Sequence, residues 1–314
     1  MKIKELTSYL DKLLQVRDFK DASYNGLQVA GPTEVKKIAT ACTASLEAIE
    51  AAAKAGADTL IVHHGLFWHG ADPCLVGNYY ARVKALMEHN INLLAYHLPM
   101  DAHLEWGNNA YLAHILGCDS LDYVVPGDRA SIGMRAHLMN PLSVQEIVSI
   151  LCHRLDTKVT LLGHLSEDMM LEDLAICSGS GSFLLDNNKN PDFQALITGD
   201  VNEQTYHMAE ETGTLVFVLG HHASEQEAIN ILGGHLASNF NVEHVATHFT
   251  YEKSALTFAY DGNTDHHDSQ RDLSEEEFEQ AEAAANAEAA AHLDYEIKQD
   301  VDHLSGKVEE SLVL

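Results

Sequence analysis

Lysine and arginine are scarce in this chain of 314 residues, which has 19 of them against 47 aspartate and glutamate residues. The formal charge of -28 disfavours a broad electrostatic surface for nucleic-acid phosphates. Long apolar runs are also missing, because no stretch reaches the about 18 uninterrupted apolar residues that a spanning helix needs. The amphipathic first residues lack the apolar centre of a secretion signal. We therefore expect a cytoplasmic protein with neither a membrane segment nor a nucleic-acid partner.

Cysteine is rare as well. The five cysteines are an odd number and include no Cys-x-x-Cys pair. Cys42 and Cys177 lie in apolar runs that are typical of strands, which favours small buried side chains in a reducing compartment. We therefore expect no thiolate metal ligand. Histidine is abundant by contrast, with 20 residues, and neutral imidazole is the commonest metal ligand.

The order of apolar runs predicts an α/β fold with an internal duplication. A pattern of strand, helix, glycine, strand and histidine pair occurs twice, the second time about 158 positions later. The first copy consists of a strand at 37–43, a helix at 45–55, Gly56, a strand at 59–62 and His63-His64. The second copy consists of a strand at 195–198, a helix at 203–211, Gly213, a strand at 215–219 and His221-His222. Ligand sites of α/β sheets lie at the carboxyl ends of strands, where both histidine pairs are placed.

Composition predicts three parts of the chain: a first α/β half at 1–125, a second at 126–260 and an acidic extension at 261–314. From Asp261 onward there are sixteen acidic and three basic residues. The extension is Ala/Glu-rich and has little apolar surface to bury, so we expect a mobile or helical appendage. We interpret His266 and His267 there as surface residues.

The His63-His64 pair admits two interpretations. Adjacent side chains of an extended strand point in opposite directions, so both can serve one site only if the backbone turns or if each meets a different ion. The second arrangement suits a site with two metal ions. The alternative is a pair of buried, hydrogen-bonded histidines with no ligand.

Two further clusters combine imidazole with carboxylate. His97 and Asp101 follow another predicted strand, where Pro99 disfavours a regular helix. His221 and Glu225 lie four positions apart at the start of a predicted helix, which places their side chains one turn apart on the same face. Imidazole and carboxylate without thiolate suit zinc, iron, manganese, nickel or cobalt rather than calcium. The three clusters predict a divalent-metal site.

A glycine-rich segment at 178–182 follows the predicted strand that ends at Cys177. Exposed backbone N–H groups there could hold a phosphate or another anion. A tight turn with no ligand explains the same residues equally well. The glycine spacing of neither the Walker motif nor the dinucleotide-binding motif is present. We interpret the turn at Gly199 and Asp200 as structural.

Six segments carry a resemblance to a known family. They are 24–29 (YNGLQV), 60–65 (LIVHHG), 97–103 with 107–109 (HLPMDAH and GNN), 177–181 (CSGSG), 198–200 (TGD) and 220–225 (GHHASE). From residue 1 to about residue 240 the chain resembles the NIF-three-like dinuclear-metal-centre family, whose members are often labelled GTP cyclohydrolase I type 2 homologues. After about Val242 the usual ending is replaced by residues 243–248 and the acidic extension.

The resemblance implies two divalent metal ions, of zinc, iron, manganese, nickel or cobalt, and a bridging role for Glu225. The ligands that it implies are His63, His64, Asp101, His221 and Glu225. His97 matches a family position near the metals, as a ligand, a neighbour of a ligand or a proton relay. His97 and Glu225 are therefore the candidate catalytic residues.

The resemblance also implies an architecture and an assembly. The fold would be two intertwined, duplicated α/β halves with mixed sheets, and the metal site would lie between them. Members of the family are similar in forming homohexameric rings, trimers of dimers whose sites face an inner cavity.

The implied function is that of a metal-dependent hydrolase acting on a small molecule. A metal-bound hydroxide would open the imidazole ring of a purine nucleotide such as GTP. The alternative is a non-catalytic protein that binds or delivers metal, or a scaffold that acts through its hexameric ring.

Overall fold

The computed structural model describes residues 1–164, 169–185 and 192–247. Its α-helices are α1 (Ile3–Leu13), α2 (Leu46–Lys54), α3 (Gly77–Glu88), α4 (Leu98–Asp101), α5 (Asn108–Leu116), α6 (Val144–Leu155), α7 (Glu203–Thr212) and α8 (His221–Phe240). Its strands are β1 (Gly26–Val29), β2 (Lys37–Thr43), β3 (Thr59–His64), β4 (Asn92–Ala95), β5 (Cys118–Tyr123), β6 (Met134–Ser143), β7 (Thr160–Leu162), β8 (Met170–Cys177), β9 (Ala195–Thr198), β10 (Leu215–Val218) and β11 (Glu243–Ala246). The acidic extension predicted at 261–314 lies outside the described residues.

Among the described residues, the first sheet has five strands in the order β1-β4-β3-β2-β11. Strands β2, β3, β4 and β11 run parallel, and β1 pairs antiparallel with β4 at one edge. Alternate side chains of β2 point to opposite faces: Ile38 packs with α1 and α8, whereas Ala39 packs with α2 and α3. Both faces are covered, which explains why these strands are apolar along their whole length.

The second sheet, as far as the described ranges show it, has six strands in the order β5-β6-β8-β9-β10-β7. Strands β8, β9 and β10 are parallel, and the flanking strands β5, β6 and β7 pair antiparallel. Residues such as Ile197 and Phe217 pack against α5 and α6, while Leu196 and Val216 belong to the core beneath α7. The two sheets are both mixed, and each contains the strand–helix–strand unit that the sequence predicts twice.

The two halves are intertwined. Strand β11 comes after the whole second sheet along the chain and returns to the edge of the first sheet, beside β2. Helix α8 follows β10 of the second sheet and packs on β2 and β3 of the first sheet, and it also contacts α5. Elements of both halves therefore meet around the N-terminus of α8. Among the described residues, no helix is both long and apolar enough to cross a membrane.

Most predicted elements of the repeated unit match the structure closely. The strands at 37–43 and 195–198 are confirmed with the same bounds as β2 and β9. The expectation that Pro99 disfavours a regular helix is wrong, because Pro99 lies in the short helix α4. Proline is tolerated in the first turn of a helix, where its missing N–H would have no intrahelical partner. The three-part division of the chain remains a prediction.

Candidate metal centre

The predicted site residues come together where the two halves meet. His63 and His64 are the last two residues of β3, at the carboxyl end of the first sheet. Asp101 is the last residue of α4, which follows β4, and His97 immediately precedes that helix. Helix α8 brings its N-terminal residues, including His221 and Glu225, to the same place. Parallel strands end at one edge of a sheet, so strand-end residues that are distant in sequence become neighbours there.

Glu225 lies at the centre of the imidazole groups. Its Oε2 atom is 3.3 Å from Nε2 of His64, 3.3 Å from Nε2 of His221 and 3.6 Å from Nε2 of His63. The Glu225 side chain is only 3% exposed, and that of His63 is fully buried. One carboxylate oxygen thus faces three imidazole nitrogens in a region from which water is largely excluded.

Asp101 supplies a second buried carboxylate. Its Oδ1 atom lies 3.6 Å from Nε2 of His63. The same oxygen accepts hydrogen bonds from the Asn108 amide (2.8 Å) and from the Ser178 hydroxyl (3.0 Å). Because Ser178 follows a strand of the second sheet, the second half orients a carboxylate that the first half contributes.

Each of the four imidazoles has its Nδ1 atom in contact with another protein group, which leaves Nε2 for the site. The Nδ1 partners are Tyr96 O for His63 (2.9 Å), Thr43 Oγ1 for His64 (3.2 Å), Asp21 Oδ1 for His97 (2.8 Å) and Asp200 Oδ2 for His221 (2.6 Å). Metal-ligating histidines generally have their second ring nitrogen held in this way, which sets the tautomer and the ring orientation.

The carboxylates dominate the electrostatics of the site. Burial disfavours a charged His63, but Asp101 and Glu225 outweigh that effect and raise the pKa of His63 to about 9. Burial and the neighbouring positive charge of His63 lower the pKa of His64 to about 3. Burial raises the pKa of Asp101, and the charge of Glu225 adds to that rise. The surrounding imidazoles outweigh burial at Glu225 and lower its pKa.

Two aspartates at the periphery of this centre pair with its imidazoles: Asp21 with His97 and Asp200 with His221. Burial opposes ionisation of Asp21, yet the hydrogen bond with His97 holds the pKa of Asp21 at about 2. The contact with Glu225 is the largest effect that raises the pKa of His221, to about 9, and the hydrogen bond with Asp200 contributes to the same rise. Each of these imidazoles is therefore held by a charged group.

The donor atoms fit a divalent metal ion in both spacing and chemistry. Ligand atoms about 2.0–2.1 Å from one tetrahedral ion lie about 3.4 Å apart, close to the separations of 3.3–3.6 Å around Glu225. Nε2 of His63 and Oε2 of Glu225 are buried, and within the described residues neither makes a hydrogen bond. Burying such atoms without partners costs about 1–3 kcal/mol each, which a bound cation would offset.

Within the part of the chain that the structure describes, three groups of donors are compact enough to hold one ion. They are His63 with Asp101 and Glu225, His63 with His64 and His97, and His64 with Glu225 and Cys42. His221 joins the centre through Glu225, and its ring lies 5.3 Å from that of His64. The Cys42 thiol is 3.9 Å from Nδ1 of His64, although burial and the charge of Glu225 raise its pKa and disfavour the thiolate.

The glycine-rich segment at 178–182 packs against the centre. The N–H groups of Ser178, Gly179 and Gly181 donate to the side chains of Asn109, Ser224 and Thr198, respectively. These three groups are therefore already paired within the protein, which favours the tight-turn interpretation over a phosphate cradle. Gly179 has a φ of +60°, and a Cβ atom there would collide with Oε1 of Glu225.

Two residues of the site were not found by sequence reasoning. Asp21 had no assigned role, and the turn that contains Asp200 was interpreted as structural. In the structure Asp21 pairs with His97 and Asp200 pairs with His221. The local signal was a carboxylate in or just before a family-like segment: Asp200 lies within TGD, and Asp21 lies shortly before YNGLQV.

The fold and the site together define a mixed α/β protein whose two halves enclose a buried imidazole–carboxylate cluster suited to metal ions. The chain belongs to the Duf34/NIF3 (NGG1p interacting factor 3) family, whose model matches residues 1–253. The family match therefore ends before the acidic extension predicted from Asp261 onward.

Curated relatives carry the name "GTP cyclohydrolase 1 type 2 homolog". The relative from Pseudomonas aeruginosa is 36% identical over 242 residues, which are 77% of this chain and 95% of that protein. The relative from Escherichia coli K12 is 37% identical over 243 residues, 77% of this chain and 96% of that protein. The likeness covers nearly the whole length of both relatives.

Solved structures show the same fold. The protein ybgI, described as of unknown function, superposes with a TM-score of 0.74 at 36% identity, covering 80% of this chain and 99% of that one. TTHA1606 from Thermus thermophilus gives a TM-score of 0.72 at 33% identity, covering 80% and 100%. HcgD from Methanocaldococcus jannaschii, at 24% identity and a TM-score of 0.69, shares the fold.

Proposed function

We propose that this protein is a hydrolase that depends on two divalent metal ions. The observation that carries the proposal is the convergence of three Nε2 atoms on a single carboxylate oxygen of Glu225. One ion would be held by His63, Asp101 and Glu225, which form one of the compact groups. The other would be held by His64 and His221 together with Glu225, whose Oε2 atom lies 3.3 Å from the Nε2 atom of each. The donor set suits zinc, iron, manganese, nickel or cobalt.

The chain's own residues would position and protonate the reactants. Two bound divalent ions supply Lewis acidity, which lowers the pKa of water and polarises a substrate oxygen or ring. His97 is partly exposed, with Nδ1 fixed by Asp21, so its Nε2 atom can accept a proton on the site side and release it to solvent. Glu225 is buried and faces three imidazoles, which suits it to bridge both ions, and because those imidazoles lower its pKa, His97 is the better proton acceptor.

The substrate that we propose is a purine nucleotide, because the relatives are named GTP cyclohydrolase 1 type 2 homologues. Water would add to the imidazole carbon of the purine, one carbon–nitrogen bond would break, and the departing ring nitrogen would take the proton. The paired N–H groups of Ser178, Gly179 and Gly181 indicate that the phosphates are held by other groups.

We also propose a homohexamer, a trimer of dimers, in the cytoplasm, as the family resemblance implies. Light scattering during size-exclusion chromatography tests the assembly, because six copies of a 34.5 kDa chain are easily separated from two or three. The division into halves at 1–125 and 126–260 with an extension at 261–314 belongs to the same proposal.

The experiment that tests the function is a turnover assay on purified, metal-loaded protein. Purine nucleotides, GTP first, are incubated with wild type and with Glu225→Gln, and ring opening is followed by the loss of purine absorbance. His137→Ala is the control, because His137 lies on the exposed surface of the second sheet and pairs with Asp173. We expect turnover in wild type and control and none in Glu225→Gln. If the protein holds stoichiometric metal but turns over no nucleotide, the hydrolase hypothesis is wrong and the alternative of a metal-delivery or scaffold protein is favoured.

A further inference from the structure

Three aromatic side chains, Tyr24, Trp68 and His69, lie on two segments beside the metal centre. The segments are joined by a bridge between Ser23 and Trp68 and by two backbone hydrogen bonds, Tyr24 N to Phe67 O (3.2 Å) and His69 N to Ala22 O (2.6 Å). We call these three side chains the aromatic rim. Its backbone is held from both sides, so the rim is a fixed feature of the site.

A glutamine anchors the rim to the first sheet. Oε1 of Gln28, on β1, accepts hydrogen bonds from the N–H groups of Leu66 (2.7 Å) and Phe67 (3.3 Å), just before Trp68. The indole N–H of Trp68 donates to Gly65 O at 3.1 Å. Because its one polar atom is already satisfied, the rest of the indole offers apolar aromatic surface.

Trp68 adjoins the imidazoles of the metal centre. Its ring centre lies 5.0 Å from that of His97, with the planes at 78°, and 6.2 Å from that of His64. Trp68 is half-buried, so part of the indole surface is open to solvent next to the candidate ligands. A flat group resting on that surface would be within reach of both imidazoles.

Tyr24 and His69 extend the aromatic surface outward. Their ring centres are 3.8 Å apart, and the Tyr24 side chain is 50% exposed. Aromatic faces bind other flat rings by stacking. A rim of this kind suits a planar, uncharged heterocycle better than an aliphatic or anionic group.

We propose that the aromatic rim is the binding site of a nucleobase-type ring. The ring would stack on Trp68, and its edge would face the metal centre. The inference rests on the proposed function for the presence of metal and names the part of the ligand that is recognised. Ring binding is separable from turnover, because stacking requires neither proton transfer nor bond cleavage. The ring, rather than the sugar, would then provide most of the affinity.

The test uses the fluorescence of Trp68 in the zinc-loaded full-length chain. The chain contains two tryptophans, so Trp106→Phe leaves Trp68 as the single reporter. Guanosine and ribose are titrated separately, and isothermal titration calorimetry gives the dissociation constants independently. We expect guanosine to quench Trp68 saturably and ribose to leave it unchanged. Equal binding of guanosine and ribose would overturn the proposal.

Variants of the rim decide whether Trp68 itself is the platform. One base–aromatic stack corresponds to a change in dissociation constant of about 5- to 150-fold. We expect Trp68→Leu to weaken guanosine binding within that range while its zinc content stays that of wild type, and Trp68→Phe to retain most of the affinity. If Trp68→Leu loses zinc, Tyr24→Leu takes its place, with a weakening of at least about threefold expected.

The outcomes separate this proposal from the proposed function. Saturable guanosine binding, together with no ring opening of any purine nucleotide in the turnover assay, supports the aromatic rim and contradicts the hydrolase. Ring opening of a purine nucleotide at wild-type rate by zinc-loaded Trp68→Leu and Tyr24→Leu supports the hydrolase and contradicts the rim. Unchanged guanosine affinity in both variants also contradicts the rim.

Discussion

Nε2 of His63 lies 3.6 Å from Oε2 of Glu225. This contact connects the end of β3, in the first sheet, to α8, the helix that follows the second sheet. Both atoms are buried, and within the described residues neither makes a hydrogen bond. The spacing is close to that of two ligands on one ion. A metal ion at this point would therefore also connect the two halves of the fold.

Replacing Gly179 by alanine should disrupt the centre although no ligand residue is itself replaced. The new Cβ atom would collide with Oε1 of Glu225 and lie 3.2 Å from Nε2 of His221. We expect metal content to fall, in addition to about 1–3 kcal/mol of destabilisation from alanine at a positive φ. Metal analysis and thermal unfolding measure the two effects.

Gly213→Ala is the matched control for Gly179→Ala. Gly213 has a similar φ of +69°, but a Cβ atom there meets nothing within 4 Å. This variant should show the backbone strain and retain its metal. If the two variants hold the same amount of metal, the contact between Gly179 and Glu225 does not matter to the centre.

Asp200→Asn should weaken metal binding through His221. The carboxylate holds Nδ1 of His221 at 2.6 Å, and removal of such a partner typically lowers metal affinity about 10–100-fold. Competition with a chromophoric chelator measures the affinity. Asp173→Asn is the matched control, because Asp173 holds Nδ1 of His137 at 2.8 Å on an exposed surface. Equal effects of the two substitutions would show that His221 is not a ligand.

Cys42→Ser should leave both metal ions in place. The thiol lies near His64 and Glu225, but burial and the charge of Glu225 raise its pKa and oppose the thiolate that a metal ligand requires. In the native protein Cys42 and Cys177 are buried and Cys74 is exposed, so a thiol reagent should modify Cys74 first. A loss of one metal equivalent in Cys42→Ser would make the thiol a ligand.

The repeated strand–helix–strand units and the histidines that follow them could be predicted because their signals are local. Apolar runs of strand length, glycine after each helix and a histidine pair after the strand lie within a few tens of residues of each other. The structure confirms strands at 37–43 and 195–198 with those bounds. Parallel strand ends then meet by a general rule of α/β sheets.

Contacts that depend on tertiary packing could not be predicted. Asp21 reaches His97, and Asp200 reaches His221, only because separate loops converge at the sheet edge. The return of β11 to the first sheet likewise has no local signal, since a short apolar run can pair with either sheet. Pro99 was misjudged because proline disfavours the interior of a helix but is compatible with its first turn.

The central claim, two ions bridged by Glu225, is tested most directly by counting metal ions per chain. Wild type, Asp101→Ala, Glu225→Ala and the control His137→Ala are purified without chelators and analysed by inductively coupled plasma mass spectrometry. We predict two equivalents in wild type and control, one in Asp101→Ala, and a loss of both in Glu225→Ala. Wild type without stoichiometric metal, or Glu225→Ala that retains both ions, would contradict the account.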